Sequence, residues 1–377
     1  MKFRHCSEHS VGVEWELQLL DPETLDLYDG IIPLMEFFPD STFVKPEYIQ
    51  SCVELNSNVA TNSDQAVQHL RQTLRKIVGR CDELGMSLCG AGTHPFCRRL
   101  ALITPLPRYR RIAKSAGYLA WNQITFSNHV HIGMESGDQA MMAMSRLIPV
   151  VPALMAMSAN SPFWRGHLTG HVAYRHRILA ATPNFGLPTS FENWAAFEAF
   201  LKAALRSNMI RHFKDIHWDI RPHPDFGTLE IRAMDAASDL RSVHGLVSFV
   251  RCLVVSTAQA SSADLNAVIP GKLPFWIEKQ NRFRAGQLGM EAEYIINAQG
   301  DHRPMRQVLD DLFEFCLPVA SKIEESTGMQ IARQLLDDTP AYQLQLDAYD
   351  TEHSTRAVVH RLQNALLHDV SGESQAA

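Results

Sequence analysis

Several sequence patterns that mark common enzyme classes are missing from this chain. It has no GxxxxGK[ST] phosphate loop, no GxGxxG after a strand and no GxSxG nucleophile elbow. These absences argue against P-loop enzymes, Rossmann-type dinucleotide-binding enzymes and α/β-hydrolases. Its seven cysteines are odd in number and contain no CxxC pair, which argues against a disulfide framework or a zinc ribbon.

Long apolar runs and excess positive charge are lacking as well. No stretch of about 18 uncharged apolar residues occurs, so we expect no membrane span. The first ten residues, MKFRHCSEHS, are too polar for a signal peptide, which predicts a cytoplasmic protein. A net charge of −6 and a pI near 6.3 argue against a nucleic-acid partner.

The composition is that of a globular protein. Of the 377 residues, 46% are apolar and 20% are charged, values that exclude a disordered or collagen-like chain. We predict a single domain over residues 1–370, with a weak boundary near residues 262–275 and a disordered tail at 371–377. Helical signals predict six segments: 63–84 capped by Ser63, 137–158 interrupted at Pro149 and Pro152, 189–209 opened by a Thr189–Glu192 capping box, 239–260, 303–325 and 352–368.

Strand signals carry more information about function. Five segments alternate apolar and polar residues with the period of a strand: 11–19, 52–56, 128–134, 215–221 and 228–234. They are separated by helices and loops without regular βαβ spacing. The pattern therefore predicts an α+β fold, with an antiparallel or mixed sheet whose apolar face packs on helices and whose other face is polar.

The polar side of these segments has an unusual composition. A solvated strand face normally carries lysine, but the five segments contain none and carry Glu, His, Asp and Arg instead. These side chains bind divalent cations and phosphate oxygens. If the strands are neighbours, the following side chains converge on one cavity: Glu14, Glu16, Glu54, Glu230 and a histidine. That much negative charge destabilises a fold unless cations occupy it, and carboxylates favour Mg²⁺ or Mn²⁺ over Zn²⁺.

Histidine and arginine residues complete the candidate site. The His129–His131 pair by itself fits a buried core pair or a zinc site as well as a magnesium site. Arg232 leaves the same strand face as Glu230, where a guanidinium could hold a phosphate. Carboxylates, cations and an arginine together favour phosphoryl transfer. Arg165 and Arg175, with nearby Arg177, are candidate contacts for a substrate carboxylate, although a surface position is the default for an arginine.

At this point the sequence resembles a known family. The matching segments are GVEWELQLLDPET, CVELNSNVATN, CGAGTHPF, NHVHIGMESGD, SANSPFW, WDIRPHPDFGTLEIRAMDA and NRFRAGQLGMEA. Together they resemble the YbdK-type carboxylate–amine ligases, also called glutamate–cysteine ligase family 2, within the glutamine synthetase-like superfamily. Two positions depart from that pattern. Trp15 replaces an acidic residue but points to the apolar side, and Leu168 replaces an aspartate in a loop.

The resemblance implies a fold and a set of residue roles. The fold would be a curved antiparallel sheet with an open concave polar face and helices on the outer face. The implied metal ligands for Mg²⁺ or Mn²⁺ are Glu14, Glu16, Glu54, Glu230 and His129. His131 and Arg232 would face the phosphates of ATP, with Arg232 and Glu54 as the catalytic pair. Arg175, with Arg165, would contact the amino-acid substrate.

The implied reaction is ATP-dependent amide formation. A carboxylate, with the γ-carboxylate of glutamate as first candidate, would form an acyl phosphate, and an amine such as that of cysteine would displace phosphate. The partners would be these small molecules, with no nucleic acid or membrane, and homo-oligomer formation is left open. The alternatives are a kinase on the same fold, a metal- or nucleotide-binding protein without turnover, and, more remotely, a zinc hydrolase built on His129 and His131.

Overall fold

A computed structural model of the chain describes residues 2–7 and 9–371. Its strands are β1 (Val11–Leu20), β2 (Val44–Pro46), β3 (Cys52–Asn56), β4 (Ser87–Cys89), β5 (Ser127–Gly133), β6 (Phe163–Trp164), β7 (His167–Leu168), β8 (Phe185–Gly186), β9 (His217–Trp218), β10 (Ile220–His223), β11 (Thr228–Asp235), β12 (Glu293–Ile295) and β13 (His302–Pro304). The predicted tail largely falls outside this description. Residue 371 ends the last helix, and residues 372–377 are not among the described residues.

Helices make up most of the remaining regular structure. The α-helices are α1 (Ile31–Met35), α2 (Ser63–Glu83), α3 (Pro107–Ala116), α4 (Tyr118–Trp121), α5 (Gly137–Leu147), α6 (Val151–Met157), α7 (Arg175–Leu179), α8 (Trp194–Arg206), α9 (Leu240–Gln259), α10 (Ser262–Val268), α11 (Phe275–Leu288), α12 (Met305–Ala320), α13 (Ser326–Asp337), α14 (Ala341–Glu352) and α15 (Thr355–Ser371). Short 3₁₀ turns cover Ile148–Val150, Phe213–Asp215 and Gly289–Glu291.

One antiparallel sheet organises the fold. Its strand order is β10-β11-β5-β1-β3-β2, and β4 pairs with the end of β1 that β5 leaves uncovered. Every pairing in this sheet is antiparallel. The α+β prediction is therefore confirmed, and β1 lies near the centre of the sheet. The concave shape implied by the resemblance stays a prediction.

The apolar face of the sheet forms the core with α2, α5, α6 and α9, which pack against its strands. Val13, Trp15 and Leu17 alternate along β1, and each is at most 2% exposed. Trp15 points to this side, as the strand period predicts, and its indole Nε1 donates a hydrogen bond to the Ala237 carbonyl at 3.1 Å. Because an indole brings a large buried area and one satisfied donor, Trp15 fixes the face that β1 presents to the core.

Helix positions are confirmed more often than helix starts. The predicted break near Pro149 and Pro152 is present as the 3₁₀ turn between α5 and α6. The predicted capping box at Thr189 is wrong, because α8 begins at Trp194 with Asn193 as its cap. The helix predicted over residues 303–325 is shorter in the structure, where α12 ends at Ala320 and the next helix, α13, begins at Ser326. The cap of α2 is Asn62 rather than Ser63.

The predicted strand at 215–221 is interrupted. His217–Trp218 pair in parallel with β8, and only the next segment, β10, joins the main sheet. Asp219 lies at the break, where Arg282 donates to its carboxylate at 2.6 and 3.0 Å. This ion pair joins the loop to α11 at the point where the predicted strand is interrupted.

Two apolar segments satisfy the length and hydropathy of a membrane span, namely Gly137–Met157 and Leu240–Gln259. Within the fold, 78% and 89% of their most apolar windows are buried. Such burial is typical of the core helices of a globular protein.

Candidate active site

The polar face of the sheet brings six of the predicted side chains together from four neighbouring strands. On β1, Glu14 lies opposite His129 of β5, and Glu16 lies opposite Glu54 of β3. On the other side of β5, His131 lies opposite Glu230 of β11. Because the strand period is two, the side chains of Glu14, Glu16, Glu54, His129, His131 and Glu230 leave one face together. Most of this face is covered, since Glu16, Glu54 and Glu230 are each at most 9% exposed.

A first group of metal-ligand atoms, here named the His131 cluster, consists of Glu14, His131 and Glu230. One ligand atom from each lies within 4.8 Å of the others. His131 Nε2 is 3.4 Å from Glu14 Oε1 and 3.7 Å from Glu230 Oε1, and among the described residues it is buried with no hydrogen-bond partner. A buried nitrogen without a partner between two carboxylates has the position of a metal ligand.

His129 is held differently. Its Nδ1 is 2.9 Å from Glu14 Oε2 and its Nε2 is 2.8 Å from the hydroxyl of Ser127, so both ring nitrogens are engaged. Burial, followed by the charge of Arg232, lowers the pKa of His129 to about 4. The geometry therefore groups His131 with the carboxylates, whereas the family resemblance implied His129 as the ligand and His131 as the phosphate contact.

Two arginines neutralise the His131 cluster. Arg221 of β10 donates to Glu230 Oε2 through Nε at 2.9 Å and Nη2 at 2.7 Å, and Arg232 donates to Glu230 Oε1. Burial alone would raise the pKa of Glu230, but the charges of Arg221 and Arg232 outweigh it and hold that pKa well below its usual range. Glu230 is therefore an anion, and Arg232 lies next to the cluster on the polar face, as predicted.

A second group, here named the Glu54 cluster, consists of Glu16, Glu47 and Glu54, again with ligand atoms within 4.8 Å of one another. Glu16 accepts hydrogen bonds from the Ser127 backbone N–H at 2.6 Å and from its hydroxyl at 2.8 Å. Burial, followed by the charge of Glu47, raises the pKa of Glu16 to about 8. Burial and the charges of Glu14 and Glu47 also raise the pKa of Glu54 well above its usual range.

The residues of both clusters fit divalent cations. In the Glu54 cluster three carboxylates are crowded together, and the raised pKa values of Glu16 and Glu54 indicate a shortage of positive charge there, since like charges this close oppose ionisation. The Lys45 ammonium lies 3.9 Å from Glu54 Oε1, but its side chain is 42% exposed, so it compensates the negative charge only weakly. A donor set of oxygens with at most one imidazole is typical of Mg²⁺ or Mn²⁺.

Sequence reasoning missed two members of this site. Glu47 follows Pro46 in the loop after β2, and its carboxylate accepts a hydrogen bond from the Tyr109 hydroxyl at 3.2 Å. Strand period could not identify Glu47, because the residue lies outside an alternating segment. Arg221 ends the alternating segment 215–221 but was not predicted as a site residue, although on β10 it lies directly opposite Glu230.

Arg175 lies at one end of β11, next to Arg232 and Asp235. Its side chain is 6% exposed, its Nη2 is 3.4 Å from the Arg232 carbonyl and its Nη1 is 3.8 Å from Asp235 Oδ1. Among the described residues, its Nε and Nη1 are buried without hydrogen-bond partners. A buried guanidinium with two unpaired donors is suited to an anionic ligand, in keeping with the predicted contact to a substrate carboxylate.

Arg165 has other neighbours. It lies at the turn between β6 and β7 with φ +52°, its guanidinium stacks over Trp164, and it donates to Asn122. These contacts hold Arg165 to its hairpin and to the end of α4. The structure thus joins Arg175, but not Arg165, to the polar face.

We expect the thermal stability of the metal-free protein to fall as the pH rises. The pKa of Glu16 in the folded protein, about 8, lies well above the ordinary glutamate value of 4.5. Between these two pH values the folded protein therefore binds more protons than the unfolded chain, and its stability decreases until the pH passes about 8. Added Mg²⁺ should reverse this loss, raising Tm by at least about 2 °C more at pH ~9 than at pH ~6.

Melting curves with EDTA or Mg²⁺ at the two pH values would measure this effect. Glu16→Gln should flatten the pH dependence, because the amide cannot ionise. An unchanged slope in that variant would contradict the assignment of the effect to the Glu54 cluster.

Comparison with known proteins places this site in a family context. The model of glutamate–cysteine ligase family 2 matches residues 10–361, which include every residue of the two clusters. A protein of Trichormus variabilis named "Putative glutamate–cysteine ligase 2" is 38% identical over 375 residues, covering 100% of this chain and 97% of that protein. A protein of the same name from Mycobacterium tuberculosis is 33% identical, with 94% of both chains covered.

Solved structures show the same fold at low identity. A glutamate–cysteine ligase of Francisella tularensis, solved in complex with AMP, has a TM-score of 0.67 at 13% identity and covers 100% of this chain and 95% of its own. A bifunctional glutathione synthetase of Pasteurella multocida has a TM-score of 0.64 at 11% identity, over 96% of this chain and 53% of its own. By the extent of the family match and the identity to its relatives, this chain belongs to glutamate–cysteine ligase family 2.

Proposed function

We propose that the protein is an ATP-dependent ligase that joins the γ-carboxylate of glutamate to an amine, with cysteine as the first candidate. The observation that carries the proposal is the adjacency of two cation-binding clusters on one strand face, with Arg232 beside them. Glu14 and Glu16, two residues apart on β1, lie in different clusters. Two cations near one phosphoryl group are the arrangement expected for phosphoryl transfer.

Each cluster has a role in this proposal. The His131 cluster and the Glu54 cluster would each hold Mg²⁺ or Mn²⁺, and such ions would offset charge on the phosphates of ATP. Arg232 would add a guanidinium donor to the transferring phosphoryl group once a nucleotide competes with Glu230 for it. The related glutamate–cysteine ligase solved with AMP is consistent with a nucleotide on this fold.

The proposed reaction has two steps. A γ-carboxylate oxygen attacks the γ-phosphorus of ATP, the bond to the bridging oxygen breaks, and ADP leaves with both electrons of that bond. The amine then attacks the carbonyl carbon of the acyl phosphate, phosphate leaves, and the amine nitrogen loses a proton. Arg175 would hold the α-carboxylate of glutamate through Nε and Nη1, which have no hydrogen-bond partner within the described residues, and this would orient the γ-carboxylate for attack.

The thiols of the chain are consistent with a mechanism that needs no enzyme nucleophile. Burial raises the pKa of six cysteines, namely Cys52, Cys81, Cys89, Cys97, Cys252 and Cys316. A buried thiol with a raised pKa is inert at neutral pH. A cytoplasmic location, where ATP and reduced thiols occur together, is part of the proposal.

Amine-dependent phosphate release tests the proposed function. Purified protein is mixed with ATP, Mg²⁺ and glutamate, amines are added one at a time, and phosphate and the amide product are measured. We expect phosphate and amide in equal amounts with at least one amine. If phosphate stays at the level without amine for every amine tested, ligation of glutamate is wrong. ADP together with a stable phosphorylated product would indicate a kinase instead.

A further inference from the structure

A pair of stacked aromatic rings lies at the hairpin between β10 and β11, here named the aromatic shelf and consisting of His223 and Phe226. The two rings are 4.0 Å apart between centroids and inclined by 10°. The Phe226 backbone N–H donates to His223 Nδ1 at 3.3 Å, which fixes their relative position. His223 is 2% exposed, whereas Phe226 is 46% exposed. The shelf therefore presents part of an aromatic ring to solvent on a rigid support.

The aromatic shelf borders the His131 cluster. The ring centroid of His131 is 5.7 Å from that of His223 and 5.7 Å from that of Phe226. Thr228 connects the two, since its hydroxyl is 2.9 Å from His131 Nδ1 and it lies opposite His223 in the hairpin. The shelf is thus the continuation of the polar face beyond the residues proposed to hold the triphosphate.

The order of groups along β11 gives the direction in which a bound nucleotide would run. From one end to the other, the strand and its hairpin carry Phe226, Glu230, Arg232 and Asp235. Arg175, the proposed contact of glutamate, approaches at the Asp235 end. Residues two apart on a strand are separated by about 6.8 Å, so the distance from Glu230 to the hairpin is roughly that from the phosphates of an extended nucleotide to its base.

A lysine ammonium group also lies over the aromatic shelf. The ammonium group of Lys214 is 5.7 Å from the Phe226 ring centroid. The Lys214 carbonyl accepts hydrogen bonds from Arg108 at 3.0 Å and from Arg221 at 3.2 Å. Arg221 also holds Glu230, so the shelf and the His131 cluster share one hydrogen-bonded support. An aromatic ring flanked by cations is a typical surface for a nucleobase with its phosphates.

We propose that the aromatic shelf binds the base of the nucleotide, which stacks on the exposed part of Phe226 while the triphosphate extends along β11 towards Arg232. This inference rests on the proposed use of ATP and adds to it a subsite and an orientation. The γ-phosphate then lies between the two clusters and Arg175, on the side where glutamate is proposed to bind. Stacking tolerates any base, so the shelf provides affinity and places the triphosphate, with little discrimination between ATP and GTP.

Binding measurements with and without the base separate stacking from phosphate contacts. Affinities for Mg·ATP and for Mg·tripolyphosphate, which lacks the base and ribose, are measured by calorimetry for the wild type and four variants. Phe226→Ala should weaken ATP binding about 5- to 150-fold, the range for losing one stacked base, and leave tripolyphosphate binding within about twofold. Phe226→Tyr and Phe226→Trp should retain ATP affinity. Phe275→Ala removes a phenyl ring that is 68% exposed on α11 and should change neither affinity.

Three results would overturn the inference. They are unchanged ATP affinity in Phe226→Ala, an equal loss for ATP and tripolyphosphate, and no binding of ATP by the wild type. The ligase assay keeps the two proposals apart. If the wild type ligates and Phe226→Ala has the same KM for ATP, the proposed base subsite is wrong and the proposed ligase function stands. If the wild type ligates no amine but Phe226→Ala selectively loses affinity for ATP, the proposed base subsite stands and the proposed ligase function is wrong.

Discussion

Glu54→Gln is expected to lower the ligase rate at least about 100-fold while leaving the protein folded. Glu54 belongs to the Glu54 cluster, is 5% exposed and accepts a hydrogen bond from Asn56 Nδ2 at 2.7 Å. Glutamine has the same shape and its amide oxygen can accept that hydrogen bond, but it is a much weaker cation ligand. Changes in the shell outside a metal already cost 10- to 100-fold, so the loss of a direct ligand should cost more.

Stability provides the second readout for this variant. Burial and the charges of Glu14 and Glu47 disfavour ionisation of Glu54, so its replacement by a neutral amide removes repulsion in the metal-free protein. Tm in EDTA at pH ~9 should be unchanged or higher than in the wild type, and the gain in Tm from Mg²⁺ should shrink. Glu314→Gln, an exposed carboxylate on α12, is the matched control and should keep full activity. Full activity in Glu54→Gln would contradict the cluster assignment.

The parts of the site on long strands were predictable because strand geometry is local. Alternation in residues 11–19 sends Glu14 and Glu16 to one side and Trp15 to the other, whichever strands lie beside them. The same argument placed His131 and Glu230 on a polar side, and pairing of β5 with β11 then brought them opposite each other. Pairing itself was not readable from the sequence, because it depends on helices and loops far along the chain.

The parts that failed depend on contacts between distant segments. Glu47 enters the site because the loop after β2 folds against Tyr109, 62 residues away in the chain. The predicted strand at 215–221 is interrupted at Asp219, whose carboxylate is held by Arg282, 63 residues away in the chain. A local pattern contains no information on such partners. Helix starts failed for a smaller reason, since Asn193 and Thr189 are both good caps and tertiary packing decides between them.

The two histidines of the His129–His131 pair have different surroundings, and these surroundings decide which of them can bind a cation. They are two residues apart on β5 and share a face, so the strand period alone cannot tell which of them is the metal ligand. Ser127 and Glu14 engage both ring nitrogens of His129, whereas Nε2 of His131 lies between Glu14 and Glu230 and has no hydrogen-bond partner in the part of the chain that the structure describes. The difference comes from register, because His131 is the one that pairs with the strand carrying Glu230.

Arg232→Lys is expected to lower kcat about 1,000-fold, the lower end of the range for an arginine that stabilises a transferring phosphoryl group. The substitution keeps the positive charge but removes the planar fork and shortens the reach, so it tests geometry rather than charge. Glu230 stays neutralised, because Arg221 donates two hydrogen bonds to its other carboxylate oxygen. The fold should therefore survive.

Single-turnover phosphate release by Arg232→Lys, with ATP and glutamate saturating, isolates the chemical step from binding. Near-normal ATP affinity with a slow burst would match a guanidinium that acts mainly in the transition state. Arg80→Lys changes an exposed arginine of α2 that pairs with Glu83 and lies over the Phe37 ring, and this variant should turn over like the wild type. A lysine at position 232 could still reach Glu230 but could not hold two phosphate oxygens at once. A rate within about tenfold of normal would therefore mean that Arg232 only neutralises the His131 cluster and does not contact the transferring phosphoryl group.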